Sequence, residues 1–241
     1  MKNNNKFRLD VWGAITLGTI ALYALFLLYP MAYLIRQSVL DPDTGSFTLA
    51  YFTKFFSKSY YFDTLINSFK VSITATVLSI AIGTPLAYLF TIFKIKGKSV
   101  LNILIVVASM SAPFIGAYSW ILLLGRSGII TTFFKNLGIA IPDIYGFGGI
   151  VLVMTLQLFP LVFLYAKGAL KNIDNSLIEA AENLGCSGIA CFFKVVVPLI
   201  MPTLLAAALL VFMRSFADFG TPMLIGEGYR TCLLYTSDAA D

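Results

Sequence analysis

Residues Ser176 to Pro202 read SLIEAAENLGCSGIACFFKVVVPLIMP and join two very different kinds of sequence. The first part of this stretch mixes acidic and small apolar side chains, carries Glu179, and reaches a glycine at Gly185. It then enters residues 195–213, which contain no charged side chain. Such a run has roughly the 17 to 25 residues that cross about 30 Å of hydrocarbon as a helix. The stretch therefore predicts a polar loop that leads directly into a membrane span.

Four more charge-free runs share this character, at residues 11–35, 71–93, 99–125 and 144–166. The chain has 241 residues, of which 59% are hydrophobic and 12% are charged, whereas a soluble domain carries about 25% charged residues. Because the runs lack the alternation of barrel strands, helices are the expected spanning structure. The sequence predicts an all-α integral membrane protein with five spans, the first of them an uncleaved span rather than an export signal.

Basic residues indicate which side of the membrane each loop faces. They cluster before the first run and between the second and third runs: Lys2, Lys6, Arg8, Lys94, Lys96 and Lys98. Cytoplasmic loops are rich in Lys and Arg, so the N-terminus and residues 167–194 are predicted to be cytoplasmic. Residues 36–70 and 125–143 then face outward. The net charge of +5 lies in these short loops, so we expect the lipid bilayer, and not nucleic acid, as its partner.

A short helix is predicted inside the cytoplasmic loop. Ser176 and Glu179 form a capping-box pattern, which starts a helix at about Leu177, and Gly185 suits the left-handed position after a helix end. Two turns are too few to be stable alone in water, so its apolar stripe must be covered. The stripe consists of Leu177, Ala181 and Leu184. One reading is a connector that packs on the chain's own spans, and the other is a contact with a partner.

A longer pattern favours the partner. The order Glu179-Ala180-Ala181, Gly185 and Val195-x-Val197-Pro198 resembles the EAA loop of ABC-transporter permeases of the binding-protein-dependent importer type, which more often have Ile and Leu at the two valine positions. The resemblance implies a MetI-like, type I ABC importer helical bundle whose loop is a coupling helix that docks into a cleft on the ATP-hydrolysing subunit. The implied coupling residues are Glu179, Ala180, Ala181, Leu184, Gly185 and Pro198.

The same resemblance implies the partners and cofactors. The expected partners are ABC ATPase subunits, an extracytoplasmic solute-binding protein and a second permease half or subunit. ATP and magnesium would be bound by the ATPase, with no cofactor or metal on this chain. The tetrapeptide KGKS at 96–99 is not a phosphate loop, because Ile92 stands where that motif needs glycine. We therefore expect a transport subunit without catalytic residues and not an enzyme.

The segment SFADFGTP at 215–222 is similar to permeases of the ferric iron, polyamine and related small-ion branch. It implies a substrate pathway formed by Ser215, Phe216, Asp218, Phe219, Gly220, Thr221 and Pro222. For Asp218 two roles are open, because a carboxylate at a membrane boundary is a functional candidate and an Asp beside Gly and Pro also forms turns. Ferric iron is the first candidate solute, with polyamine, phosphonate and sulfate as alternatives.

The permease domain is expected to cover residues 1–231. Residues 232–241, CLLYTSDAAD, resemble the translation of a sequencing-library adapter, so we expect a non-native tail in place of a missing sixth span. Two functions from other classes remain open at this stage. An ion-gradient carrier or channel would move solute without ATP, and a membrane scaffold would move none.

Overall fold

The computed structural model describes residues 11–41, 45–93, 97–110, 112–139, 142–186, 188–226, 229 and 231. Three parts of the sequence-based predictions lie outside these residues: the basic N-terminus with Lys2, Lys6 and Arg8, the loop lysines Lys94 and Lys96, and the tail at 232–241. The chain divides into two units, residues 1–59 and 60–241, which are described separately.

The first unit contains one long apolar helical stretch and one short helix. Helix α1 (Val11–Tyr23) continues through a π-helical turn at Ala24–Leu28 into α2 (Tyr29–Val39). None of the side chains in this stretch is buried, which suits a surface that faces lipid tails. Helix α3 (Ala50–Ser57) follows an isolated bridge between Leu40 and Phe47.

The second unit is built from nine helices in the part of the chain that the structure describes, with a π-helical turn at Phe192–Val196. They are α4 (Ser59–Ile92), α5 (Lys98–Ser109), α6 (Pro113–Leu124), α7 (Ile129–Asn136), α8 (Phe147–Lys171), α9 (Asn175–Asn183), α10 (Gly188–Cys191), α11 (Val197–Phe216) and α12 (Gly220–Ile225). The predicted all-α class is confirmed.

Five helical stretches are long and apolar enough to cross a membrane: Val11–Val39, Ser59–Ile92, Pro113–Asn136, Phe147–Lys171 and Phe192–Phe216. The second corrects a predicted boundary. Helix α4 begins at Ser59, so residues 59–70, which were expected to be outward loop, are helical. The predicted boundary was wrong because the charge-free run begins only after Asp63 and Lys70, whereas the helix begins before both residues.

The third predicted run is also corrected, because residues 99–125 do not form one continuous helix. Helix α5 ends at Ser109 and α6 begins at Pro113. Ala112 is extended, with φ −68° and ψ 141°, since a following proline disfavours the α conformation. Proline then suits the first turn of the new helix, where its missing N–H costs nothing.

Helices α4 and α8 approach most closely at Gly83. A Cβ atom on Gly83 would lie 2.9 Å from the Cβ of Val162 and 3.0 Å from the carbonyl oxygen of Phe159. About two helical turns further along α4, Phe90 meets Phe163 edge to face, with ring centroids 5.1 Å apart. Between membrane helices, close van der Waals packing replaces the hydrophobic effect as the main attraction. This crossing therefore depends on the absence of a side chain at position 83.

Helix α11 completes the packed centre. One buried cluster joins α4, α8 and the α11 region through Phe90, Phe163, Val196 and Ile200, among other residues. A second cluster joins α4, α6, α8 and α12 through Val71, Ala117, Ile150, Met154 and Ile225, among others. The two clusters hold opposite ends of α8, so α8 fixes the separation between the features at its two ends.

We predict that Gly83→Ala destabilises the second unit. Overpacking a tight site costs typically about 1–3 kcal/mol, so the thermal unfolding midpoint of the detergent-purified protein should fall. Gly168→Ala is the matched control, since it lies in α8 and a Cβ there meets nothing within 4 Å; its midpoint should stay constant or rise, because Ala favours a helix over Gly. Equal midpoints for the two variants would contradict the close crossing.

Candidate functional site

The predicted loop helix exists as α9, but its cap differs from the prediction. The Oδ1 atom of Asp174 accepts a 3.0 Å hydrogen bond from the N–H of Ser176, and the helix begins at Asn175. The expected capping box between Ser176 and Glu179 is therefore wrong, because the Ser176 N–H is already bound to Asp174. Hydrogen bonds from the N–H and hydroxyl of Ser176 lower the pKa of Asp174.

The end of α9 follows the prediction. Gly185 has φ +85°, and the N–H of Cys186 donates to the carbonyl of Ala181 at 3.0 Å. This six-to-one bond around a left-handed residue is a Schellman ending. The predicted left-handed conformation of Gly185 is confirmed, and it limits α9 to about two and a half turns.

Two apolar side chains of the predicted stripe are uncovered, Leu177 within α9 and Leu184 just past its end. Leu184 is 89% exposed and Leu177 is 49% exposed. Glu179 and Ala180 are exposed as well, and Ala181 is half-buried. The reading in which the stripe packs on the chain's own spans thus finds no support in this structure. Pro198 does not belong to this surface, because it lies in the first turn of α11.

Helix α8 separates α9 from the second predicted site. At the α9 end, the Lys167 ammonium donates to Asn102 Oδ1, which joins α8 to α5 near Lys98. At the other end, the N–H of Gly146 donates to the carbonyl of Ile225 at 2.9 Å, which joins the start of α8 to α12. The 25 residues of α8 span about 37 Å at 1.5 Å per residue. The second site lies beside Met154 and Gln157, so roughly the second half of α8 separates it from α9.

The second site is the junction between α11 and α12, where Asp218 holds the start of α12. Its Oδ1 accepts the N–H of Gly220 at 2.9 Å and that of Thr221 at 3.4 Å, and its Oδ2 accepts the Thr221 hydroxyl at 2.6 Å. Asp218 therefore binds the first N–H groups of α12 from the turn before it, in agreement with the turn-forming reading. Asp218 also borders a cavity, so a role for this residue in the substrate pathway remains open.

The structure gathers the other predicted pathway residues around this junction. Ser215 is buried and its hydroxyl donates to the sulfur of Met154 at 3.2 Å, whereas the ring of Phe216 packs 5.0 Å from that of Phe69. Thr221 and Pro222 are buried within α12. These contacts are apolar or internal, so four of the seven residues pack the junction instead of facing open space in the large cavity beside it.

We call this space the junction cavity. It has a volume of about 530 Å³ and is lined by Ser109, Pro113, Phe114, Gln157, Leu158, Arg214, Ala217, Asp218, Phe219 and Gly220. Three of the seven predicted pathway residues, Asp218, Phe219 and Gly220, border it. Gly220 packs closely on Phe114, because a Cβ there would lie 3.1 Å from the Phe114 ring.

Two polar lining residues were missed from the sequence. Arg214 stands in the last turn of α11, just beyond the charge-free run at 195–213. Gln157 is the one side-chain amide in the run at 144–166. Either could have been found from the rule that polar side chains within apolar spans are functional candidates. In the described ranges, no group of three or more His, Cys, Asp or Glu residues is arranged to hold a metal ion.

Comparison with known proteins gives one family and two sets of relatives. The family described as "Binding-protein-dependent transport system inner membrane component" matches residues 46–236. The putative ferric transport system permease protein FbpB 1 of Haemophilus influenzae is 29% identical over 212 residues, which cover 87% of this chain and 33% of the relative. The spermidine/putrescine transport system permease protein PotB of the same organism is 29% identical over 232 residues, 92% of this chain and 79% of the relative.

The chain thus spans about a third of the length of the ferric permeases that it matches. Among solved structures, a bacterial ABC transporter involved in the import of the acidic polysaccharide alginate superposes with a TM-score of 0.70. The superposition covers 89% of this chain and 77% of that chain at 17% identity, so it supports the fold alone.

We predict that Asp218→Ala destabilises the α11–α12 junction. The change leaves the N–H groups of Gly220 and Thr221 without their side-chain acceptor, and loss of a helix cap costs about 0.5–2 kcal/mol. The thermal unfolding midpoint should fall below that of Asp143→Ala. That control removes the ion pair between Asp143 and Arg126, whose side chains are 45% and 62% exposed. Exposed ion pairs contribute little to stability. Identical midpoints would contradict the capping role.

Proposed function

Because this chain belongs to the family of binding-protein-dependent transport system inner membrane components, we propose that it is the membrane-spanning permease of an ATP-driven importer. In this role it moves a solute from an extracytoplasmic binding protein across the cytoplasmic membrane. The observation that carries the proposal is the exposed helix α9, which is held at both ends yet leaves Leu177 and Leu184 uncovered. Exposed apolar surface on a rigid element is typical of a contact with another protein.

The orientation follows from the basic residues near α9. Lys98, Lys167 and Lys171 lie at the same end of α8 as α9. Since Lys-rich ends of spans face the cytoplasm, we assign this end and α9 to the cytoplasm. The junction cavity, which Gln157 of α8 borders, then lies outward of α9, towards the side on which a binding protein would release its solute. The N-terminus is assigned to the cytoplasmic side on the same rule.

We assign ATP and magnesium to partner ATPase subunits. ATP binding would bring these subunits together and move α9, and α8 and α11 would carry the displacement towards the junction cavity as rigid helices. Gly185 and the Asp174 cap support the role of α9 in transmitting this displacement, because they fix the residues at which the helix begins and ends. A solved neighbour of this fold was crystallised with an alginate pentasaccharide-bound periplasmic protein, which supports a binding protein as the outer partner here.

Ferric iron remains our first candidate for the solute. Two curated relatives are ferric transport permeases, at 29% and 28% identity, and the SFADFGTP segment points to the same branch. Polyamines are the second candidate, because PotB of Haemophilus influenzae is equally similar and is covered over 79% of its length. Phosphonate and sulfate remain alternatives from the segment alone.

We predict that Ala181→Arg and Gly185→Pro each lower ATP-driven uptake at least tenfold. The arginine adds bulk and charge where the surface of the ATPase subunit must approach α9 closely. Proline cannot adopt the φ of +85° at position 185. The measurement is uptake of radioactive ferric iron into vesicles that contain the complete transporter, with its ATPase and binding protein. Ala50→Arg is the matched control, because Ala50 is exposed at the start of α3, in the segment predicted to face outward.

Undiminished uptake in both α9 variants would contradict the assignment of α9 as the coupling helix. Uptake that needs an ion gradient but no ATP would instead support the carrier or channel. A failure to move ferric iron, spermidine, phosphonate or sulfate, with all partners present, would support the scaffold. Spermidine uptake without iron uptake would leave the importer in place and change its solute.

A further inference from the structure

We propose that the junction cavity is a binding subsite for a solute that presents oxyanion groups, with Arg214 and Gln157 as its donors. The inference rests on the proposed transport function and narrows the class of solute. Ferric iron would pass this point as a complex with an oxyanion chelator, and a polyamine would not be held here. A free oxyanion shares the same recognition chemistry.

Arg214 supplies the first part of the argument. It lies in the last turn of the apolar stretch Phe192–Phe216 and lines the junction cavity. A guanidinium within a membrane span is costly, and such residues occur where they have a partner or a transport role. Within the described ranges, the side chain of Arg214, an exposed residue, makes neither an ion pair nor a hydrogen bond, whereas Arg126 pairs with Asp143 at 3.0 Å. Its five N–H donors therefore remain for a ligand, in a planar fork that matches carboxylate and phosphate oxygens.

Asp218, the carboxylate that also lines the cavity, is committed elsewhere. Its two oxygens accept two backbone N–H groups and one hydroxyl, all from Gly220 and Thr221. A carboxylate has about four acceptor positions, so three of them are used to begin α12. Asp218 thus fixes the wall of the cavity without forming an ion pair with Arg214.

Gln157 provides the second donor. It lines the same cavity from the middle of α8, and its Nε2 atom is enclosed without an acceptor. An enclosed donor without a partner costs about 1–3 kcal/mol. A ligand oxygen that enters the cavity would supply the missing acceptor after a small rotation of the amide. Arg214 and Gln157 thus reach one space from two different helices.

The shape and the setting of the cavity agree with this role. Its volume of about 530 Å³ lies within the range of roughly 300–1,000 Å³ that small-molecule sites occupy. It is bordered by the ends of α5 and α6, on either side of the interruption near Ala112, and non-helical backbone at membrane depth is tolerated where it lines a wet cavity. A polyamine would bring several ammonium groups beside the unpaired guanidinium of Arg214, and this repulsion opposes its binding next to that side chain.

Binding to the purified complete transporter tests the proposal. The probes are radioactive citrate, radioactive ferric iron with excess citrate, and radioactive spermidine, each measured by equilibrium binding. The variants are Arg214→Gln, Arg214→Lys and Gln157→Leu. Arg126→Gln is the matched control, because it removes an arginine outside the junction cavity. Gel filtration confirms that each variant is folded.

We expect the wild-type transporter to bind at least one citrate probe and not spermidine. Arg214→Gln should weaken citrate binding at least tenfold, Arg214→Lys less, and Gln157→Leu about threefold to tenfold, because a bond to a charged group contributes more than one to a neutral group. Arg126→Gln should bind as the wild type does. Binding of both citrate probes would indicate a general oxyanion subsite, and binding of the iron complex alone would indicate that the chelated metal is recognised.

Binding of neither citrate probe to the wild type, or citrate binding that Arg214→Gln leaves unchanged, would overturn the subsite. Spermidine binding to the wild type that Arg214→Gln leaves unchanged would overturn it as well. These failures are distinct from failure of the proposed function. Loss of the subsite would leave ATP-driven uptake by the wild type intact, whereas failure of the importer would abolish uptake in every variant, including the Arg126→Gln control.

Discussion

Hydrocarbon offers no hydrogen-bond partner to a peptide group, and this constraint organises the chain. The backbone leaves the helical conformation near Ala112 and again at the junction of α11 and α12, and both interruptions border the junction cavity. Each is resolved locally: Pro113 has no N–H to satisfy, and Asp218 accepts the free N–H groups of Gly220 and Thr221. The need to satisfy every backbone N–H within the membrane therefore explains why Pro113 and Asp218 stand at these two interruptions.

The two ends of α8 carry different kinds of surface. At the end near Lys98, α9 is short, closed by Gly185 and leaves apolar side chains exposed, which suits a contact with another protein. Towards the other end, from the middle of α8, polar groups converge on the junction cavity. The close contact at Gly83 and the two buried clusters make α4, α8 and α11 a rigid connection between these ends. Such a connection is what coupling ATP hydrolysis to a distant pathway requires.

Much of this fold could be predicted from local patterns, because a charge-free run of membrane length by itself indicates a membrane-spanning helix. The left-handed Gly185 was predictable for a similar reason, since only glycine occupies that position without strain. Prediction of the helix break before Pro113 would have required the backbone conformation of Ala112. Prediction of the α9 cap would have required a choice between Asp174 and Ser176, and residue spacing alone does not make that choice. The meeting of Gln157 with Arg214 and Asp218 brings the middle of α8 to a segment far later in the sequence, so no local pattern reveals it.

The most direct measurement of the central claim is site-specific photo-crosslinking from α9 in membranes that contain the complete transporter. A crosslinking amino acid at Leu184, which is 89% exposed, should form an adduct with the ATPase subunit whose yield changes when ATP is bound. The same group at Leu137, which is 60% exposed in the segment predicted to face outward, should form no such adduct. An absence of adduct at position 184, or equal adducts at both positions, would contradict the account.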